Sequence, residues 1–187
     1  MGFGGGHTLR YLSDTAAYAC GIDVITECLT HAQALGVSAD RLFDGANLPP
    51  ELPQRIDFWL FQDSFEHIPH PAQFVEWVER NSSANTEVLI VLPEAASISE
   101  TLLGSLWPHR LPDHTFHWSR RGLIEFWGRR NFHLVEAFSP RKYLSGATLI
   151  AHVQHKFGLA QRRVPPWPTM RFNIGEMGLH LRRSQRP

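Results

Sequence analysis

The amino-acid sequence predicts an α/β protein built on a doubly wound, mostly parallel sheet with an antiparallel hairpin at its C-terminal end. Three observations carry this. Short apolar, partly β-branched runs bounded by turn residues alternate with segments whose apolar residues recur at helical spacing. Glycines and acids fall where those strands end, the place at which such a sheet binds ligands. The length of 187 residues, 43% of them hydrophobic, suits one domain with one sizeable core.

Each element has its own signal. A glycine cluster, Gly2 to Gly6, runs into an apolar-periodic segment and reads as a loop feeding a helix. Ala16 to Ile22 reads as a short buried strand ending at Asp23, and Thr26 to Leu35 as a helix stopped by a left-handed Gly36. The piece Arg41–Phe43 precedes a breaker-rich loop from Asp44 to Pro50. Ile56 to Gln62 is nearly continuously apolar, as in a strand covered on both faces. Pro71 opens a helix with Phe74, Val75 and Val78 inward, and Thr86 to Leu92 is a buried strand stopped by Pro93. Residues 94–118, with a brief helical pattern near Ile98–Leu106, read as a lid. Ser119 caps a helix through about Arg130, and Phe132–Phe138 and Ala147–Phe157 read as the hairpin strands. Trp59, Trp77 and Trp127 fall on core-facing patterns, whereas Trp107 and Trp118 sit on the expected lid, within reach of an apolar acceptor.

Composition narrows the function classes. The mean hydropathy of −0.23 and the lack of a run of about 18 uncharged apolar residues argue for a soluble chain without a membrane span. Cys20 and Cys28 cannot make a disulfide framework, and no charged-then-apolar leader opens the sequence, so the cytoplasm is the expected compartment. Formal charge is zero, but residues 1–155 carry −6 and residues 156–187 carry +6. The expected organisation is therefore a domain over 1–157 followed by a basic, Pro- and Arg-containing tail over 158–187.

The chemistry starts at Gly2-x-Gly4-x-Gly6, where backbone without Cβ atoms lets a ligand approach exposed N–H donors. Asp23 follows Gly2 by 21 residues at the end of the next strand, placed to accept hydrogen bonds from both ribose hydroxyls of a nucleoside; capping the following helix is its plainer role. With these two signals, the run Asp57-Phe58-Trp59-Leu60-Phe61-Gln62-Asp63-Ser64-Phe65-Glu66-His67-Ile68-Pro69-His70-Pro71 resembles the class I S-adenosylmethionine-dependent methyltransferases, closest to their small-molecule branch. His117-Trp118-Ser119, Leu123, Trp127 and Asn131-Phe132 extend the resemblance toward the sixth strand of that Rossmann-like fold, which spans about residues 2–157.

The resemblance implies S-adenosylmethionine as cofactor. It implies Gly2, Gly4 and Gly6 beside its methionine and ribose, Asp23 on the ribose hydroxyls and Asp44 toward the adenine amine. Gln62, Asp63 and Ser64 would line the methionine end and the reacting methyl. The family has an apolar first strand before the first glycine, and here Met1 directly precedes Gly2, so the first, central strand is absent from the sequence. Either Met1 is internal to a longer protein or the chain starts there.

Methyl transfer to a hydroxyl or protonated amine calls for a general base, and His67 and His117 are the catalytic candidates, with His114 beside them. Their plainer roles are a backbone bond around the Pro69 turn for His67 and solvated loop positions for the other two. Glu66, His67 and His70 cluster along the chain and His114-x-x-His117 stands at one-turn spacing; neither set has the spacing of a structural zinc site, so no metal ligand is assigned, and metal dependence, which the resemblance to catechol-type relatives implies for some members, stays an open alternative. The leading function is methylation of a small-molecule oxygen, nitrogen or carbon nucleophile, with no membrane partner. Nucleic acid is disfavoured by the acidic main domain and the lack of an Asn/Asp-Pro-Pro-Tyr/Phe motif. Two alternatives stand beside it: a nucleotide-cofactor oxidoreductase, though no Tyr-x-x-x-Lys pair is present, and a methyltransferase-like scaffolding module without turnover.

Overall fold

The computed structural model describes residues 1–145 and 169–184, and between them residues 147, 150, 151, 154 and 158. The first unit is α1 (His7–Thr15), β1 (Gly21–Asp23), α2 (Thr26–Ala34) and β2 (Leu42–Asp44), with β1 and β2 parallel. Leu9, Ala32 and Val37 form a small apolar cluster beneath this pair. The second unit holds β3 (Ile56–Gln62), α3 (Pro71–Arg80), β4 (Ser82–Pro93), α4 (Ile98–Leu103), α5 (Arg120–Gly128) and β5 (Phe132–Phe138). After it come β6 (Lys142–Ser145), β7 (Thr169–Phe172) and β8 (Glu176–Arg183).

The main sheet runs β3-β4-β8-β5, parallel between β3 and β4 and antiparallel on both sides of β8. Trp59 and Phe61 of β3 point into one core with Phe65, Phe74, Trp77, Leu123, Trp127 and Phe132. Trp59 Nε1 donates to Ser82 Oγ at 2.9 Å and Trp77 Nε1 to the Pro49 carbonyl at 2.6 Å, so both indoles are buried without an orphaned donor. Pro71 sits in the first turn of α3, and Ser119 Oγ accepts the Gly122 N–H at 3.2 Å as the cap of α5.

Several expectations are corrected. The strand partner of β5 is β8, not Ala147–Phe157; within that stretch positions 147, 150, 151 and 154 are helical. β8 comes from the segment read as a basic tail, because Met177, Leu179 and Leu181 alternate inward while His180 and Arg182 face Glu87 across the ladder. Its arginines hide a core strand. Of the expected second hairpin strand and tail, residues 148, 149, 152, 153, 155–157, 159–168 and 185–187 lie outside the described residues. β3 is not covered on both faces among the described residues: Phe58 is 49% exposed. The connection 94–118 is not simply a lid, since Trp107 is fully buried and donates to the Ile174 carbonyl at 2.8 Å.

The pair β1-β2 and the sheet that begins at β3 are separate. Among the described residues β1 bonds only to β2 and β3 only to β4, and their facing edges flank a cleft of about 600 Å³. Two residues bridge it: the Met1 amine donates to the Leu60 carbonyl at 2.7 Å and the Gly2 N–H to the Ile22 carbonyl at 2.8 Å. They hold the C-terminal ends of β1 and β3 side by side, and that is where the candidate site lies.

Candidate active site

Gly2, Gly4 and Gly6 all have left-handed backbone, with φ of 62°, 49° and 72°. At Gly2 the need for glycine is double, because a Cβ there would lie 2.5 Å from the Cβ of Ser64. Gly6 is the N-cap of α1, and no side chain fills the first turn, so its N–H groups are offered by backbone alone. A Cβ on Gly4 would meet nothing within 4 Å, so this bend faces open space.

Asp23 is buried at the end of β1, with its carboxylate on the bend. Oδ2 accepts the Gly4 N–H at 3.1 Å and Oδ1 the Ile25 N–H at 3.1 Å. Asp23 therefore ties the bend to the residue that starts α2 without capping the helix, whose N-cap is Ile25, and one further lone pair on each oxygen remains for hydroxyl donors. Asp44, at the end of β2, closes its own turn by accepting Ala46 N–H at 2.8 Å and Asn47 Nδ2 at 2.7 Å, which hold its carboxyl below the usual range.

At the end of β3, Gln62 and Asp63 are exposed and Ser64 is buried with an unpartnered hydroxyl. Asp63 has φ of 48°, a conformation disfavoured for non-glycine residues, while its N–H continues the ladder to the Val91 carbonyl at 2.9 Å. Lys142 fixes its side chain: Nζ donates to Asp63 Oδ2 at 3.0 Å and lies 2.6 Å from Glu176 Oε1. Burial alone would pull the Lys142 amine down, but the two carboxylates outweigh it and hold the amine above its ordinary value. Burial pushes Glu176 up against the opposing pull of Lys142. No sequence signal marks Lys142 or Glu176, since their partners come from strands far apart in the chain.

The histidines are reordered by the fold. His67 Nδ1 lies 2.9 Å from the Asp113 carbonyl, so it is tied to the connection, not to the Pro69 turn. His114 stacks edge-on against it, ring centroids 4.8 Å apart, and His117 is exposed 6.1 Å from His114. His70 is the N-cap of α3 but makes no side-chain cap bond. Glu66 is 2% exposed with both carboxylate oxygens unpartnered, and burial pushes its carboxyl up to about 7. Burial, then the neighbouring His67, pulls His114 down. Trp118 packs on Phe65, Phe116 and Phe126, while Trp107 is turned away into the interior.

A glycine bend beside a strand-end carboxylate is the feature to compare with known proteins, and the methyltransferase domain family model matches residues 1–137. The chain belongs to the methyltransferases. No curated protein matches it, but many solved structures do. It is similar to the YcgJ protein of Bacillus subtilis, with 15% identity, TM-score 0.66, and coverage of 99% of this chain and 90% of that one. The plantazolicin methyltransferase BpumL, solved with a desmethyl-plantazolicin analogue and S-adenosylhomocysteine, shares 19% identity at TM-score 0.60, covering 98% and 75%. The magnesium protoporphyrin IX methyltransferase of Synechocystis PCC 6803, also with S-adenosylhomocysteine, shares 14% at TM-score 0.58, covering 98% and 72%. At these identities the likeness is one of fold.

This methyltransferase uses S-adenosylmethionine, and the bend fits that group. Gly4 leaves its side open, the α1 N-terminus has no side-chain cap bond, and Asp23 is held at the bend by backbone. Among the described residues no helix is long and apolar enough to cross a membrane.

Proposed function

We propose that the chain moves the methyl of S-adenosylmethionine to a small-molecule oxygen, nitrogen or carbon nucleophile. The carrying observation is the Asp23 carboxylate standing 3.1 Å from the Gly4 N–H, so that acid and bend form one recognition unit. In this reading Gly2, Gly4 and Gly6 border the methionine and ribose, Asp23 accepts the ribose hydroxyls and Asp44 lies on the adenine side. Gln62, Asp63 and Ser64 line the methionine end. Two of the similar structures are named for small-molecule acceptors, which supports that substrate class.

When bound, the cofactor supplies an electrophilic methyl on a sulfonium. The residues of this chain orient the nucleophile and exclude water, the two contributions that in-line displacement needs most. On the acceptor side stand His67 and His117. A carbonyl can only accept, so His67 Nδ1 donates to Asp113 and its Nε2 carries the lone pair.

The test is calorimetric titration with S-adenosylhomocysteine. Wild type binds it and ignores NADH, and Asp23→Ala binds at least about ten-fold more weakly, the loss of one charge-assisted bond. Asp23→Asn, which keeps an acceptor at the bend, separates lost binding from lost folding when both variants are melted. Equal affinity in all three proteins refutes the assignment.

A further inference from the structure

Glu66, His67 and His114 are brought together from two segments, and their ligand-type atoms all lie within 4.8 Å of one another. We propose that these three residues form a divalent-cation site at the end of β3, suited to a borderline first-row ion such as Zn²⁺ or Co²⁺.

The first argument is the state of Glu66. A buried carboxylate with both oxygens lacking a hydrogen-bond partner is costly, and buried charges are found paired or on metals. The neighbouring imidazoles of His67 and His114 carry no fixed charge, and the Lys142 ammonium acts on Glu66 more weakly than His67 does. The second argument is the tautomer of His67. With Nδ1–H given to the Asp113 carbonyl at 2.9 Å, Nε2 is left bare, the arrangement in which a second-sphere carbonyl orients a metal-binding imidazole. The third is the donor set: two imidazoles and one carboxylate match catalytic sites, where three protein ligands leave a position open. Bond lengths of about 2.0–2.2 Å require the three donors to close in slightly, a side-chain adjustment that the partly exposed His114 can make. The Asp63 carboxylate adds negative potential felt by both Glu66 and His114.

The role of the ion rests on the methyl-transfer reading. Its open position would take an oxygen of the acceptor, a hydroxyl or carboxylate, beside Asp63 at the methionine end, which favours oxygen nucleophiles. The ion would use the His67 lone pair, leaving His117 as the proton acceptor.

The experiment is titration of chelator-dialysed full chain with Co²⁺, followed by visible d–d absorption and reversed with Zn²⁺. Wild type is expected to saturate at one equivalent. His114→Ala, which alters only the connection, and Glu66→Gln, which keeps the volume, are expected to bind at least ten-fold more weakly. His31→Ala, a surface histidine elsewhere, is expected to bind like wild type. Absence of stoichiometric Co²⁺ uptake, or equal uptake in His114→Ala and Glu66→Gln with both still melting cooperatively, overturns the site. S-adenosylhomocysteine titrated in the presence of chelator reports separately on the donor site, so loss of one binding event is not mistaken for loss of the other.

Discussion

Replacing Lys142 by Met tests how the end of β3 is held to the rest of the molecule. The ammonium bridges two carboxylates with different surroundings: Glu176 is 1% exposed and Asp63 is 40% exposed. Its own side chain is 38% exposed. The Asp63 leg resembles a surface ion pair, worth roughly 0–1 kcal/mol. The Glu176 leg is different, because removing one partner of a buried pair costs about 3–5 kcal/mol when the other charge is left dry. The partly wet ammonium and the ability of Glu176 to take up a proton lower that figure, so the whole substitution should cost about 2–3 kcal/mol. For a chain of this size that is a fall in Tm of about 5–10 °C.

The pH dependence gives the sign. Burial raises the Glu176 carboxyl above its value of 4.5 in the unfolded chain, and Lys142 partly restrains it. Without Lys142 the folded value rises further. A raised carboxyl contributes stability below the unfolded value and loses it as pH climbs through the folded one. The Lys142→Met deficit should therefore be small near pH 4.5 and full at neutral pH, and Glu176→Gln added to it should recover most of the loss. Urea titrations of the four proteins of this cycle, repeated across pH, provide the measurement. A midpoint unchanged at pH 7, or a deficit that does not shrink toward acid, refutes the reasoning.

Gly2→Ala forces a left-handed alanine, costing about 1–2 kcal/mol, and drives its Cβ against Ser64, so both Tm and S-adenosylhomocysteine affinity should fall; a variant that melts and binds like wild type contradicts the bend geometry. Glu87 is held below its ordinary value by Arg182, then His180, so its contribution is present above about pH 4.5 and lost as pH falls through the lowered value; Glu87→Gln should be less stable than wild type at neutral pH and equal to it in strong acid. Hydrogen exchange should be faster by at least ten-fold for Ile22 and Asp23, in a three-residue pair, than for Ile90 and Leu179 at the sheet centre. Equal protection would mean that the two sheets open as one unit.

The βα alternation through β4 was legible because each strand and helix there has its own local period. Pro71, Ser119 and Gly36 marked boundaries that the fold keeps. β8 was not legible as a central strand because its partners, β4 and β5, are distant in sequence and it carries Arg182, which pairs with Glu87, and Arg183, beside Glu79. Trp107 misled for a related reason: it lies in a proline- and histidine-rich stretch, and only the turn at Ile174 shows where its indole is buried. In the site, the bend and Asp23 were visible as a spacing, whereas Glu66, His67 and His114 were divided between two motifs that tertiary packing merges.

Three aspartates end or follow successive parallel strands, and their surroundings separate their roles more sharply than their residue type does. Asp44 accepts one bond on each oxygen from within its own turn, the Asn47 amide and the Ala46 N–H, so it shapes the loop that follows β2. Asp23 spends one lone pair per oxygen on backbone N–H groups from the two loops it joins, which orients it while leaving acceptor capacity. Asp63 is held by an ammonium in a strained backbone conformation, with exposed faces toward the cleft. Strain at a residue is retained only where surrounding structure over-determines it, and here Lys142, Glu176 and the ladder bond to Val91 do so together. A strand end that needed only to turn would have used glycine, as the bend after Met1 does. The carboxylate of Asp63 is thus held in place at the end of β3, within electrostatic reach of Glu66 and His114.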